Sequence, residues 1–136
     1  MKRPGWFPVA VRTAEGPVFH GQARFVSARA IDGELGILAG HTPLVSALGA
    51  GVLRVVTSEG ELTLAVAGGI LQVDQDGVNV LASAAERAED IDVERASAAR
   101  KRALSHLEEP GQGHVRAQAA LERALARLQA AGRTRH

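Results

Sequence analysis

Residues 52–66 read VLRVVTSEGELTLAV, and their spacing decides what kind of fold the chain builds. Val52-Leu53-Arg54-Val55-Val56 and Glu61-Leu62-Thr63-Leu64-Ala65-Val66 alternate in a period of two around Ser58-Glu59-Gly60. Successive side chains therefore point to opposite faces, and one face of a hairpin can be buried. The same composition extends to both sides. PVAVRTA, GPVFHG, ARFVSARA, GELGIL and GVNVLAS are rich in β-branched and aliphatic residues and are broken by Gly or Asp. Gln75-Asp76-Gly77 marks a second tight turn. Many short strands without a helix-length segment between them predict a sandwich or barrel and disfavour a parallel β-α-β sheet.

From Ile91 onward the period becomes helical. Asp90 or Asp92 suits the N-cap. Val93, Ala96, Ala99 or Arg100, Ala103, Leu104 and Leu107 then follow three-to-four spacing until Pro110-Gly111-Gln112-Gly113 breaks it. A second helix is expected from about Val115 to Gly132, with Leu121, Leu125 and Leu128 as a narrow apolar stripe. The fold class is thus α+β, mainly β: an N-terminal β-sandwich or flattened barrel over 1–86, then a linker and an antiparallel two-helix hairpin over 87–136.

Charge divides at the same place. Residues 1–91 hold 7 Lys/Arg against 10 Asp/Glu, net −3, while 92–136 hold 9 against 5, net +4. The hairpin is dominated by Ala, Arg, Leu and Glu, so each helix holds its conformation with little outside help. Its large apolar side chains are few. At about 1.5–3 kcal/mol for each fully buried Leu or Val, docking by half a dozen partly buried ones is modest after ordering costs. Two readings stay open here: a hairpin that detaches from a rigid sandwich at low cost, and one permanently docked.

The 136 residues fit one domain, or one with an appendage. With 3% aromatic residues, the core must be built from Val, Leu, Ile and Ala. There is no cysteine, which excludes disulfides, thiolate metal sites and a thiol nucleophile. MKRPGWFP starts basic, but Pro8 and Arg12 interrupt any apolar run, so neither an export signal nor a membrane span is expected.

Three motifs in order carry a resemblance. Gly33-Glu34-Leu35-Gly36-Ile37 with Gly40-His41-Thr42-Pro43-Leu44, then Ala67-Gly68-Gly69-Ile70-Leu71-Gln72-Val73, then Ala85-Glu86-Arg87-Ala88-Glu89-Asp90-Ile91-Asp92 resemble the epsilon subunit of bacterial F-type ATP synthase, over about Val9 to Leu128. The resemblance implies a non-catalytic rotor subunit of the central stalk, on the cytoplasmic face of the bacterial plasma membrane. Its contact with that membrane would run only through the complex. Its sandwich would pack on the gamma subunit and rest on the polar loops of the c-ring, coupling proton translocation to ATP synthesis. Glu34, Leu35, Gly36 and His41 would be contact residues at its foot. On the residues alone, Gly33, Gly36 and Gly40 permit sharp turns, Pro43 fixes one, and no serine elbow or second nearby histidine activates a nucleophile. His41 reads equally as a structural turn residue.

Ile91-Asp92-Val93-Glu94-Arg95-Ala96 matches a signature that the family associates with ATP binding to the folded hairpin. No cofactor is required on this reading, and ATP is a regulatory ligand. By spacing, Asp92, Arg95 and Arg102 share one helical face and Arg123 and Arg127 another, so guanidinium groups can converge on a triphosphate. The resemblance gives Glu86 and Asp92, beside Ile91, to the adenosine end. Without a G-x-x-x-x-G-K-[ST] loop, hydrolysis is not expected. In the family, extended helices enter the catalytic head and inhibit ATP hydrolysis. The basic hairpin, with Arg100, Lys101, Arg102, Arg116, Arg123 and Arg127, suits acidic segments of the beta subunits there, beside alpha.

Three rivals are weaker. His20, His41, His106, His114 and His136 lack metal-ligand spacing. The helices lack stacking aromatics, which argues against nucleic acid. A free-standing adaptor sandwich is the strongest, and its lack of affinity for gamma would mark it.

Overall fold

The computed structural model describes residues 4–109 and 113–134. Ten strands precede two helices: β1 (Phe7–Thr13), β2 (Gly16–Ala23), β3 (Phe25–Ala30), β4 (Gly33–Ile37), β5 (Leu44–Leu48), β6 (Gly51–Thr57), β7 (Gly60–Val66), β8 (Gly69–Asp74), β9 (Gly77–Ala82), β10 (Ala85–Arg87), α1 (Val93–Glu108) and α2 (His114–Thr134). The expected α+β class, a flattened strand barrel followed by a helical hairpin, is what the chain forms.

Strand order is β10-β7-β6-β3-β5-β8-β9-β1-β2, with β4 paired to β3 off this path. The two halves join through one cross-strand pair, Ala30 with Leu48, and fold face to face. Alternation explains the core. Val9 and Val11, Leu53 and Val55, Leu64 and Val66, Leu71 and Val73, and Val78 and Val80 point inward from five strands and are buried together. The pairing of β1 with β9 is parallel, unlike the other ladders, because the amino-terminal strand slots in beside the last long one.

The Ser58-Glu59 and Gln75-Asp76 turns form where expected, with positive φ only at Gly60 and Gly77. At Gly69 the backbone approaches that of β9. With φ 144°, an added Cβ would stand 2.2 Å from the Leu81 carbonyl oxygen. Leu44–Leu48 was not expected as a strand. Its short run, with Ser46 and Ala47 side by side at its centre, gives a weak signal, and it is held by the ladder to β8. Gly36 corrects another expectation. It is not a turn glycine but sits within β4 opposite Ser27, where the absent side chain leaves room for the Phe25 ring.

A three-residue 3-10 turn, Ala88–Asp90, leads into α1. Asp92, not Asp90, is its N-cap, accepting from the Arg95 backbone N–H at 3.1 Å. The Pro110-Gly111-Gln112 portion of the expected interhelical break lies outside the described residues. α2 lies on the outer face of β6 and β7, and α1 packs against α2. Of the expected leucine stripe, Leu125 is 39% exposed and Leu128 packs only at the margin of the contact, so leucines do not carry most of this docking. Alanines do. Ala65, Ala88, Ile91, Ala96, Ala130 and Ala131 form a second buried cluster between sheet, turn and hairpin, with Val52, Val93 and Leu128 at its margin. Small side chains let the helix approach the sheet closely, while each buried methyl contributes only about 0.8 kcal/mol.

Candidate functional site

The outer face of the sheet beneath α2 is set by register. Ala65 pairs with Val52 on one side and Glu86 on the other, so Val52, Ala65 and Glu86 form one row facing the hairpin. Beyond this row, β7, β10 and both helices enclose a cleft of about 950 Å³. Its floor is apolar and small: Ala65, Val66, Ala67, Ala84 and Ala85. Its helical walls bring in Arg102 and His106 from α1 and Arg116, Arg123 and Arg127 from α2, opposed by the carboxylates Glu86 and Glu109. Four guanidinium groups against two carboxylates favour an anionic occupant, and the alanine floor leaves room for a flat apolar one.

Of the residues expected to bind ATP, Glu86, Arg102, Arg123 and Arg127 meet in this cleft. Glu86 and Arg127 are joined there, Arg127 Nε donating to Glu86 Oε1 at 2.9 Å with both side chains half-buried. A ligand would have to share or break that pair. Ile91, Asp92 and Arg95 lie outside the lining. Ile91 is buried in the alanine cluster, Asp92 caps α1, and Arg95 is exposed. The signature thus has a structural job in the closed hairpin, completed by fully buried Ala96. Arg116, His106 and Glu109 were not expected at the cleft. Arg116, Arg123 and Arg127 lie at i, i+7 and i+11, so helical spacing alone held the signal for the first.

The expected contact residues occupy a different end. β4 pairs only with β3 and is an edge strand. Glu34 and Gly36 are exposed, whereas Leu35 packs partly against the sandwich core. Exposed Ile31 and Leu38 flank the strand at its two ends. His41 is half-buried and folded into its own loop: its backbone N–H donates to the Leu38 carbonyl at 3.1 Å and its Nδ1 to the Thr42 carbonyl at 2.7 Å. A second exposed apolar surface lies across β5, β8 and β9. There Ala47 pairs with Ile70 and Ile70 with Leu81, while Val45, one step along β5 on the same face, is 70% exposed.

Comparison with known proteins decides the family. Residues 7–88 match the model described as ATP synthase, Delta/Epsilon chain, beta-sandwich domain, and residues 89–132 the one described as ATP synthase, Delta/Epsilon chain, long alpha-helix domain. The chain belongs to the ATP synthase epsilon chain family. It is 45% identical to the ATP synthase epsilon chain of Bacillus pumilus over 126 residues, covering 92% of this chain and 96% of the relative. It is 44% identical to that of Syntrophomonas wolfei over 127 residues, covering 91% and 93%. In fold it is similar to a chain of the Euglena gracilis mitochondrial ATP synthase, OSCP/F1/c-ring in rotational state 1. That match has a TM-score of 0.82 and 24% identity, covering 100% of this chain and 85% of the other. Membership makes this a non-catalytic stalk subunit, as its motifs implied. Among the described residues no helix is long and apolar enough to cross a membrane, and no group of three or more His, Asp or Glu is placed to hold a metal ion.

Proposed function

We propose that the chain is the regulatory rotor subunit of a bacterial F-type ATP synthase, divided mechanically between a fixed sandwich, 1–86, and a regulatory hairpin, 87–136. The sandwich rides on gamma and the c-ring at the cytoplasmic face of the plasma membrane and helps couple proton translocation to ATP synthesis. Glu34, Leu35, Gly36 and His41 serve as foot contacts, and the exposed apolar strip of Val45, Ile70 and Leu81 as further contact area. The folded hairpin binds ATP as a regulatory ligand. Once ATP is lost the hairpin extends between the alpha and beta subunits and inhibits hydrolysis.

The observation that carries the reading is the cleft itself. An arginine-walled, alanine-floored space of about 950 Å³ lies between sheet and hairpin, so an occupant touches both and favours the closed form. Arg102, Arg123 and Arg127 would take the phosphates, while Glu86 would accept from ribose or base once released from Arg127. Arg95 lies outside the lining and acts at its margin. Asp92 and Ile91 act by fixing the start of α1 against the sheet.

Titration of the isolated chain with ATP tests this. Binding at micromolar to millimolar strength is expected, with chemical-shift changes at Ala67 and Ala120 and about tenfold weakening in Arg123→Ala and Arg127→Ala. No response at millimolar ATP would remove the sensor role and leave the stalk assignment standing.

A further inference from the structure

α2 is joined to the sheet by two ion pairs at different places. Arg127 with Glu86 lies inside the cleft. Arg133 with Glu61 lies at the far end of the helix, where neither residue lines the cleft. Glu61 sits at the start of β7 and holds two arginines at once. Arg54 of β6 donates to Glu61 through Nε, and through Nη2 at 3.4 Å, while Arg133 Nη2 donates to Oε1 at 3.2 Å. Arg54 thereby fixes the carboxylate on the sheet before the helix arrives, so Arg133 meets a pre-oriented acceptor. Glu34 of β4 adds a further favourable charge near Arg54.

We propose that Glu61 is a nucleotide-independent latch that pins the last turn of α2 to the β6–β7 hairpin and sets the resting fraction of closed hairpin. The inference rests on the reading that the hairpin opens. Exposed ion pairs contribute little to a protein with a large stability margin. Here the competing term is also modest, because the docked surface is built mainly of alanine methyls, with Ile91 the one large side chain buried in it. A change worth a few-fold in the closing equilibrium is then visible in the populations. Since a cleft ligand needs the closed form, apparent nucleotide affinity must fall with the closed fraction even though Glu61 touches no ligand.

The chain has no cysteine, so spin labels at Ser58→Cys and Gln118→Cys report the hairpin position without background. In the ligand-free full chain, Glu61→Gln is expected to raise the long-distance fraction about two- to fivefold, Arg133→Gln by a similar factor, and the double variant no further than either alone. An unchanged distance distribution in both single variants, or effects that add in the double, would overturn the latch. Titrating ATP into the same labelled chains separates the two ideas. Weakening of apparent affinity in Glu61→Gln by the factor lost from the closed fraction supports the latch, and undiminished affinity in an opened variant counts against it. If wild type ignores ATP, the sensor reading fails and the ligand-free distances alone decide the latch.

Discussion

At the scale of single residues, three positions have consequences larger than their size. Gly69 occupies a conformation that other residues rarely adopt, against a carbonyl. Gly69→Ala is expected to cost at least about 2 kcal/mol, read as a lowered melting temperature with the β8–β9 ladder disrupted; an unchanged melting point would contradict this. Asp92 illustrates how a functional signature hides a structural one. Asp92→Ala removes an N-cap worth about 0.5–2 kcal/mol, whereas Asp92→Ser retains it. Nucleotide affinity restored in the serine variant identifies the cap as the operative role, and affinity that stays low identifies a direct contact. At Glu61, the bonds from Arg54 first and Arg133 after it hold the carboxyl below its ordinary range against the opposing effect of burial. With the folded value below the unfolded one, its contribution is complete above the unfolded value of about 4.3 and disappears as pH falls through the folded value. The melting-temperature difference between wild type and Glu61→Gln should therefore be constant from neutral pH to about 5 and close under more acid conditions. A difference independent of pH would deny the ionised carboxylate that role.

At the scale of elements, β7 shows where the sequence was informative and where it stopped. Its alternation located the strand and its inward face at Leu62, Leu64 and Val66. Thr63 and Ala65 on the other face are also buried, and the pattern left that face to solvent. The only local hint is that both are small and uncharged. The converse holds in α2, where leucines suggested the docking face and alanines form it. Helical spacing cannot show which apolar stripe a sheet accepts when the deciding quantity is how near the two backbones come. Glu61 with Arg133, separated by 72 residues, had no local signal at all. Ala130 is fully buried in the alanine cluster between α2 and the sheet. Ala130→Leu should therefore displace the hairpin by overpacking, at about 1–3 kcal/mol, while the sandwich resonances of Leu71 and Val80 keep their native shifts. Loss of both together would show that hairpin and sandwich are one cooperative unit.

At the scale of the molecule, two cores of unlike chemistry share one chain. The sandwich core is built mainly from Val, Leu and Ile supplied by strands of both sheet halves, and the hairpin is seated mainly on alanines plus two ion pairs. The first is the architecture of a fixed base, the second that of a part that can leave. Composition makes this division legible in the sequence itself, since the alanine-rich, net +4 segment begins where the strands end. The exposed strip across β5, β8 and β9 and the apolar residues flanking β4 were not legible, because alternation does not say which face meets a partner. The central claim is that hydrolysis is restrained by a hairpin that leaves the sandwich. Cysteines at Glu61→Cys and Arg133→Cys, in an ATP synthase otherwise free of cysteine, can be joined by a thiol-reactive crosslinker that spans the reach of the replaced Arg133–Glu61 pair and is cleavable by reduction, so that a covalent tether replaces the latch. ATP hydrolysis at low ATP should rise several-fold on crosslinking and return on cleavage; equal rates in the two states would contradict the account.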